Sequence, residues 1–382
     1  MTRKLFSALA AVVVLVVSAL IAYRVLRPAE VVETATEPYP VARTAPAAGV
    51  LGKITMAPLI VDGRLRVYAG ERLVKADAPV DAETMFTPLW SYRRWPEKLT
   101  GVVASGTTVV TSWDNAELVA LDARTGKIRW RSPGTAAQAF DGRTGSAAVW
   151  SPPGLHVAGT TILDVDSRRT LTAHEAAAGT QLWSVELPAG CVDGFVTVGG
   201  NYVCGEGAWD TTTGKPARSW PVGPSTPVGC DVARSACAGL RDAAGQGWLT
   251  ATNRPTRTPA LDDPSATAGG GLVLTTADGK VTASGQAVWT WPGEATILGV
   301  RGQKVALLAA DFSLVTLDVT TGAQLARFPL YVDDERVEPW KPTGWQLTDT
   351  WLAIERIHID AGTDPHEPNH FYTVDPVILA AF

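Results

Sequence analysis

The first place to look for chemistry is His366-Glu367-Pro368-Asn369-His370, which matches H-E-x-x-H. In a zinc protease both histidines lie on one face of a helix, with the glutamate as base. Pro365 and Pro368 interrupt any such helix, because proline removes a donor and bars the helical conformation before it. The protease reading therefore falls away. What survives is a loop metal site using Asp364, His366 and His370, set against a solvated polar loop between the last strands. We expect the solvated loop, with no metal and no cofactor. Cys191, Cys204, Cys230 and Cys237 are an even set, compatible with two disulfides in an oxidising compartment. Zinc is the rival, but C-x12-C and C-x6-C do not match the usual short ligand spacings. Free core cysteines are the remaining alternative. Cys191 and Cys204 flank two short strands around Gly199-Gly200-Asn201, and Cys230 and Cys237 flank Asp231 to Ala236 in the following unit, so each pair would staple its own hairpin.

Other candidates are weaker still. Asp164-Val165-Asp166-Ser167 lacks the later Gly and Glu of a calcium loop and reads as a hairpin turn. Asp333-Asp334-Glu335 reads as a solvated acidic loop, and Gly269-Gly270-Gly271 is followed by no Lys-Ser/Thr that would mark a phosphate loop. Trp340, Trp345 and Trp351 could line a groove, though packing is the simpler role. No Ser-His-Asp or Cys-His set is recognisable from spacing, and no catalytic residue is assigned.

The elements that would position these residues come from a repeat. Leu118-Val119-Ala120-Leu121-Asp122-Ala123-Arg124-Thr125-Gly126-Lys127-Ile128-Arg129-Trp130 is its fullest copy. Looser copies run from Leu314 to Phe328, from Trp209 to Trp220 and from His174 to Trp183. In each copy an acid lies four positions before Gly, and an aromatic lies four or six after it. Four and six share parity, so on a strand both rings fall on one face. The acid accepts backbone N–H bonds at a turn start and Gly takes the positive φ. The unit is therefore a hairpin, with its ring packed on a neighbouring unit. Gly285, followed by Trp289 and Trp291, marks a fifth copy, and the glycine spacings are 53, 35, 71 and 37. The long gap predicts a degenerate copy at 241–248, and the 53 includes an insertion from Pro133 to Gly154. Divergent units are expected at 75–90 and at 370–376. Eight units of about 41 residues have the period of propeller blades, four strands each around an axis. Seven blades is the alternative count. Leu59 to Tyr68 is expected to close the ring against the C-terminal strand.

The Leu-Asp-x-x-Thr-Gly-Lys-x-x-Trp pattern of 121–130 resembles the quinoprotein-like (PQQ-type) β-propeller repeat. The resemblance covers about residues 50–382. It implies an all-β propeller, and a family that spans quinone-dependent dehydrogenases and cofactor-free scaffolds. This chain departs from the dehydrogenases, since no two cysteines are adjacent and no C-x-x-C-H haem site occurs. No catalytic, quinone or calcium residue is carried over.

Thr2-Arg3-Lys4 precedes an apolar run from Leu5 to Tyr23. At 1.5 Å per residue this spans roughly 29 Å, the thickness of a hydrocarbon core. No small-residue cleavage site ends the run cleanly. The expected organisation is a cytoplasmic tail at 1–4, a transmembrane signal anchor at 5–23, a Pro/Ala-rich linker at 24–49 and an extracytoplasmic propeller at 50–382. Net charge is −5, with no basic run beyond the N-terminus, which argues against nucleic acid. The function expected is a cell-membrane-tethered, non-enzymatic binding or scaffolding module for envelope proteins or glycans. The alternative is an envelope enzyme, a quinone-linked dehydrogenase or a hydrolase, with its site in the propeller funnel.

Overall fold

The computed structural model describes residues 12–18, 27–42, 46–82, 88–191, 194–221, 223–332, 335 and 338–382. Eight antiparallel sheets follow one another along the chain. Blade 1 holds β3 (Pro58–Val61), β4 (Leu65–Gly70), β5 (Leu73–Asp77) and β6 (Trp90–Trp95), and β1 (Ala29–Glu33) adds a fifth strand outside β6. Blade 2 holds β7 (Leu99–Ser105), β8 (Thr108–Trp113), β9 (Glu117–Asp122) and β10 (Ile128–Pro133). Blades 3, 5, 6 and 7 repeat the four-stranded plan, starting at β11 (Leu155–Ala158), β18 (Thr226–Val228), β22 (Thr267–Gly269) and β26 (Ala295–Arg301). Blade 4 has three strands, Gly194–Val196, Asn201–Cys204 and Gly207–Asp210, and one bridge from Trp209 to Pro216 stands in for the fourth. The chain is an all-β, eight-bladed propeller.

Blade 8 shows how the ring closes. It contains β30 (Trp340–Leu347), β31 (Trp351–His358) and β32 (Val377–Ala381), and its outermost strand is β2 (Gly49–Ile54) from the other end of the chain. Gly49 pairs with Ala381 and Ile54 with Val377. The expectation that 59–68 closes the ring is corrected. Those residues form the inner hairpin of blade 1, and only chain preceding that hairpin is free to supply an outer strand. At the same seam Gln346 extends its amide to β3, accepting from the Ile60 N–H at 2.6 Å and donating to the Ile60 carbonyl at 3.2 Å.

The repeat does what its residues require. Leu118, Val119, Ala120 and Leu121 are wholly buried, as a strand covered on both faces must be. In the turn after β9, Asp122 Oδ1 accepts the Arg124 N–H, and Gly126 takes φ +71°. The ring four residues on then docks on the next blade. Trp130 Nε1 donates to the Ala176 carbonyl at 2.9 Å, and a Cβ on Gly179 would lie 2.4 Å from that ring. The same pairing joins Trp90 to Ala123 and Gly126, Trp183 to Thr211 and Gly214, and Trp289 to Val319 and Gly322. Each tryptophan fills a seam and satisfies its own N–H there.

Three expectations shift. The degenerate copy at 241–248 lies in blade 5, but its Asp242–Gly245 turn joins the second and third strands of the blade rather than the third and fourth. Residues 370–376 form the approach to β32 rather than a hairpin of their own. The stretch 24–49 is in part structured: β1 lies on β6, the Ala35 N–H bonds Thr125, and the Tyr39 hydroxyl bonds Asp62. Residues 12–18 are helical and exposed. No helix among the described residues is long and apolar enough to cross a membrane, and most of the expected span 5–23 lies outside the described residues.

A filled axis and a candidate binding cleft

A propeller offers two kinds of site, its axial channel and the loops at its two ends. Here two irregular segments pack against inner strands that line the channel. The insertion between β10 and β11 carries a short helix, α1 (Ser146–Trp150), which packs on β3, β4, β7 and β30. Ala148, Val149 and Trp150 are buried, and Trp150 Nε1 donates to the Pro58 carbonyl at 3.0 Å. Gly145 enters the helix at φ +72°, where a Cβ would lie 2.5 Å from the Ala69 oxygen. The buried Glu355 carboxylate of β31 accepts the hydroxyls of Thr144, Ser146 and Thr343. That fixes the insertion to blade 8.

The second segment is the connection between the first two strands of blade 5. Cys230 and Cys237 are joined there, and Cys191 and Cys204 in blade 4, so both expected staples are present. The stapled loop carries the single turn Val232–Arg234, which packs against α1 and β11. The Ala233 carbonyl lies 2.8 Å from His156 Nδ1, and Ser235 Oγ accepts the Val157 N–H. A loop from blade 5 thus reaches past blade 4 to blade 3 and to α1. A cavity of about 230 Å³ remains beside it, lined by Gly229, Gly269, Gly299, Trp345 and the ion-paired Asp231 and Arg301. It is smaller than the usual small-molecule site of about 300–1,000 Å³.

A larger cleft, of about 580 Å³, lies where the insertion meets the β31–β32 connection. Met56, Glu71, Lys98, Phe140, Asp141, Arg143, His366 and Glu367 are among its walls. His366 Nε2 lies 2.9 Å from Asp141 Oδ1, bridging the two loops. Lys98 Nζ lies 2.7 Å from Glu71, and that ammonium, followed by the nearby Arg72, holds the Glu71 carboxyl below its usual range. Arg143 stacks 4.4 Å from the Phe371 ring centroid and has no ion pair among the described residues. The cleft thus offers one unpaired guanidinium, two rings and paired charges. That set suits polar recognition, and it contains no nucleophile held by a base.

The residues singled out in the sequence scatter. His366 turns to Asp141, Asp364 accepts the backbone N–H of His366, and His370 is buried against Phe371. Among the described residues no group of three His, Cys, Asp or Glu could hold a metal, so the structure does not assemble Asp364, His366 and His370. Glu335 is no solvated acid. It accepts both guanidinium nitrogens of the buried Arg356, at 3.0 and 3.2 Å. Burial opposes its charge, but Arg356 outweighs that and lowers its pKa. Asp333 and Asp334 lie outside the described residues. Asp166 closes a hairpin turn, as expected. Its neighbour Asp164 is buried, which pushes its carboxyl up to about 7. Trp340 and Trp351 pack in the core, while Trp345 lines the axial cavity. Sequence reasoning did not single out Arg143 or Phe140, because only the fold brings 140–143 beside 365–368.

Residues 38–132 match a PQQ-type repeat family model described as outer membrane protein assembly factor BamB. BamB from Moraxella catarrhalis is 16% identical, covering 88% of this chain and 99% of that one, with a TM-score of 0.44. The C-terminal WD40 domain of Sif2 is 13% identical, covering 89% and 99%, with a TM-score of 0.48. No curated protein matches this chain.

Proposed function

We propose that this protein is a non-enzymatic scaffold in the cell envelope, tethered to the membrane by residues 5–23, which holds another envelope protein at the cleft between residues 139–143 and 365–368. The packing at the ring centre carries this reading. An enzyme site deep in the funnel needs room at the ring centre, and α1 with the stapled loop takes up part of that room. The axial cavity beside the stapled loop, about 230 Å³, is below the usual size of a small-molecule site. The match of residues 38–132 to an assembly-factor model points to protein partners, and nothing in the cleft favours glycans. Disulfides in both central blades suit an extracytoplasmic setting. Arg143 is the residue on which recognition centres, since an unpaired, ring-backed guanidinium is a common interface anchor.

The test is photocrosslinking in living cells from position 140, with position 256 on the opposite side of the ring as control. A discrete envelope-protein adduct from 140, lost in Arg143→Glu, is expected. Equal labelling from both positions, or an adduct unaffected by Arg143→Glu, would count against the cleft.

A further inference from the structure

We infer that the rim of blade 1 is a membrane-contacting surface, seated on the headgroups of the bilayer that holds the anchor. The inference rests on the tether reading above and adds to it which side of the ring faces lipid. Its first support is chain length. The expected span ends at Tyr23, and β1 begins at Ala29, already paired with Trp95. Six residues reach at most about 20 Å even when fully extended. Headgroups take up about 5–8 Å of that on each side of the hydrocarbon. The edge of blade 1 therefore cannot stand off the membrane, whereas blade 5, opposite it in the ring, can.

The second support is what this rim carries. Trp95 is 37% exposed and Val31 is 49% exposed. Arg72 lies 4.6 Å over the Trp95 ring. Arg93 pairs with Val31 on β1 and with Leu73 on β5, so its side chain shares their face. Arg93 is exposed and makes no ion pair among the described residues. Arg27, just before β1, is also exposed. Arg72 is itself paired with Glu71, so the free charge beside the open tryptophan is Arg93. An exposed tryptophan with an unpaired arginine on its face suits a bilayer interface, and that arginine adds attraction to anionic lipid. Trp95 lies at the same end of the ring as Glu71 and Lys98, which line the cleft. Contact here would turn the cleft end of blade 1 toward the membrane, where a partner anchored in the same bilayer could reach it.

The test uses the full chain in vesicles of phosphatidylcholine and phosphatidylglycerol, with a nitrobenzoxadiazole label on Val31→Cys or on Thr256→Cys. Headgroup-spin-labelled lipid should quench the label at 31 and leave that at 256 unchanged. Arg93→Gln should weaken contact about fivefold, read as lost quenching at 31 while the protein still sediments with the vesicles. Vesicle-bound protein with equal quenching at both positions would overturn the rim contact and leave the tether standing. Protein that fails to sediment with vesicles would overturn both.

Discussion

At the scale of single residues, each of the four seam tryptophans carries two separable contributions. Its indole N–H closes a hydrogen bond to the next blade, and its ring fills the space over a glycine. Trp130→Phe removes the first and should cost about 1 kcal/mol. Trp130→Ala removes both and should cost about 3–5 kcal/mol. Urea-denaturation midpoints of the two variants separate the contributions. The sequence revealed the parity of these rings but not their partners, since a motif within one unit cannot say which carbonyl of the next it will meet. Asp164 was legible only as a turn neighbour. Its burial raises its folded pKa to about 7, above the unfolded value of about 3.9. Between those two values the folded state holds a proton that the unfolded state has lost, so stability falls as pH rises across that window. Asp164→Asn should abolish that fall, and melting temperatures of both proteins from pH 4 to 8 check it. A variant as pH-dependent as the parent would show that Asp164 is charged in the fold.

At the scale of elements, the two inner loops matter most. The Cys230–Cys237 staple encloses a short loop whose middle residues make the contacts with α1. In the loop-entropy view the link is worth about 2.5 kcal/mol. Replacing both cysteines with serine should lower stability by about that amount and speed amide exchange in 146–150 more than in β9. Equal protection in parent and variant would mean that the loop holds its place without the staple. The pairing of these cysteines could be read from the hairpins they flank. The helix could not, because five residues show no 3.6-residue period, and Ser146-Ala147-Ala148-Val149-Trp150 is helical through its packing rather than through propensity. β1 was hidden for a related reason. Its alternation is too brief to stand out beside a Pro-rich stretch, and its stability comes from the edge of β6.

At the scale of the whole molecule, repeat spacing pointed to eight blades with seven as the alternative, while closure and function depended on parts outside the repeat. β2 belongs to no hairpin unit, yet it completes the eighth sheet. The cleft is built from two irregular connections, so no period could place Arg143 beside Phe371. The ring supplies rigidity, and the non-repeating segments decide what it displays. Arg143→Glu should therefore leave the unfolding free energy within about 0.5 kcal/mol of the parental value while removing the crosslinked partner. A loss of both together would assign Arg143 to structure instead.

The claim on which the functional reading turns is that α1 and the stapled loop stay packed at the ring centre. Amide hydrogen exchange of the intact protein, resolved by peptide mass spectrometry, tests it most directly. Residues 146–150 and 230–237 should exchange as slowly as the buried strands β9 and β31. If both exchange as fast as exposed turns such as 243–246, the channel opens in solution, and an axial site returns to consideration.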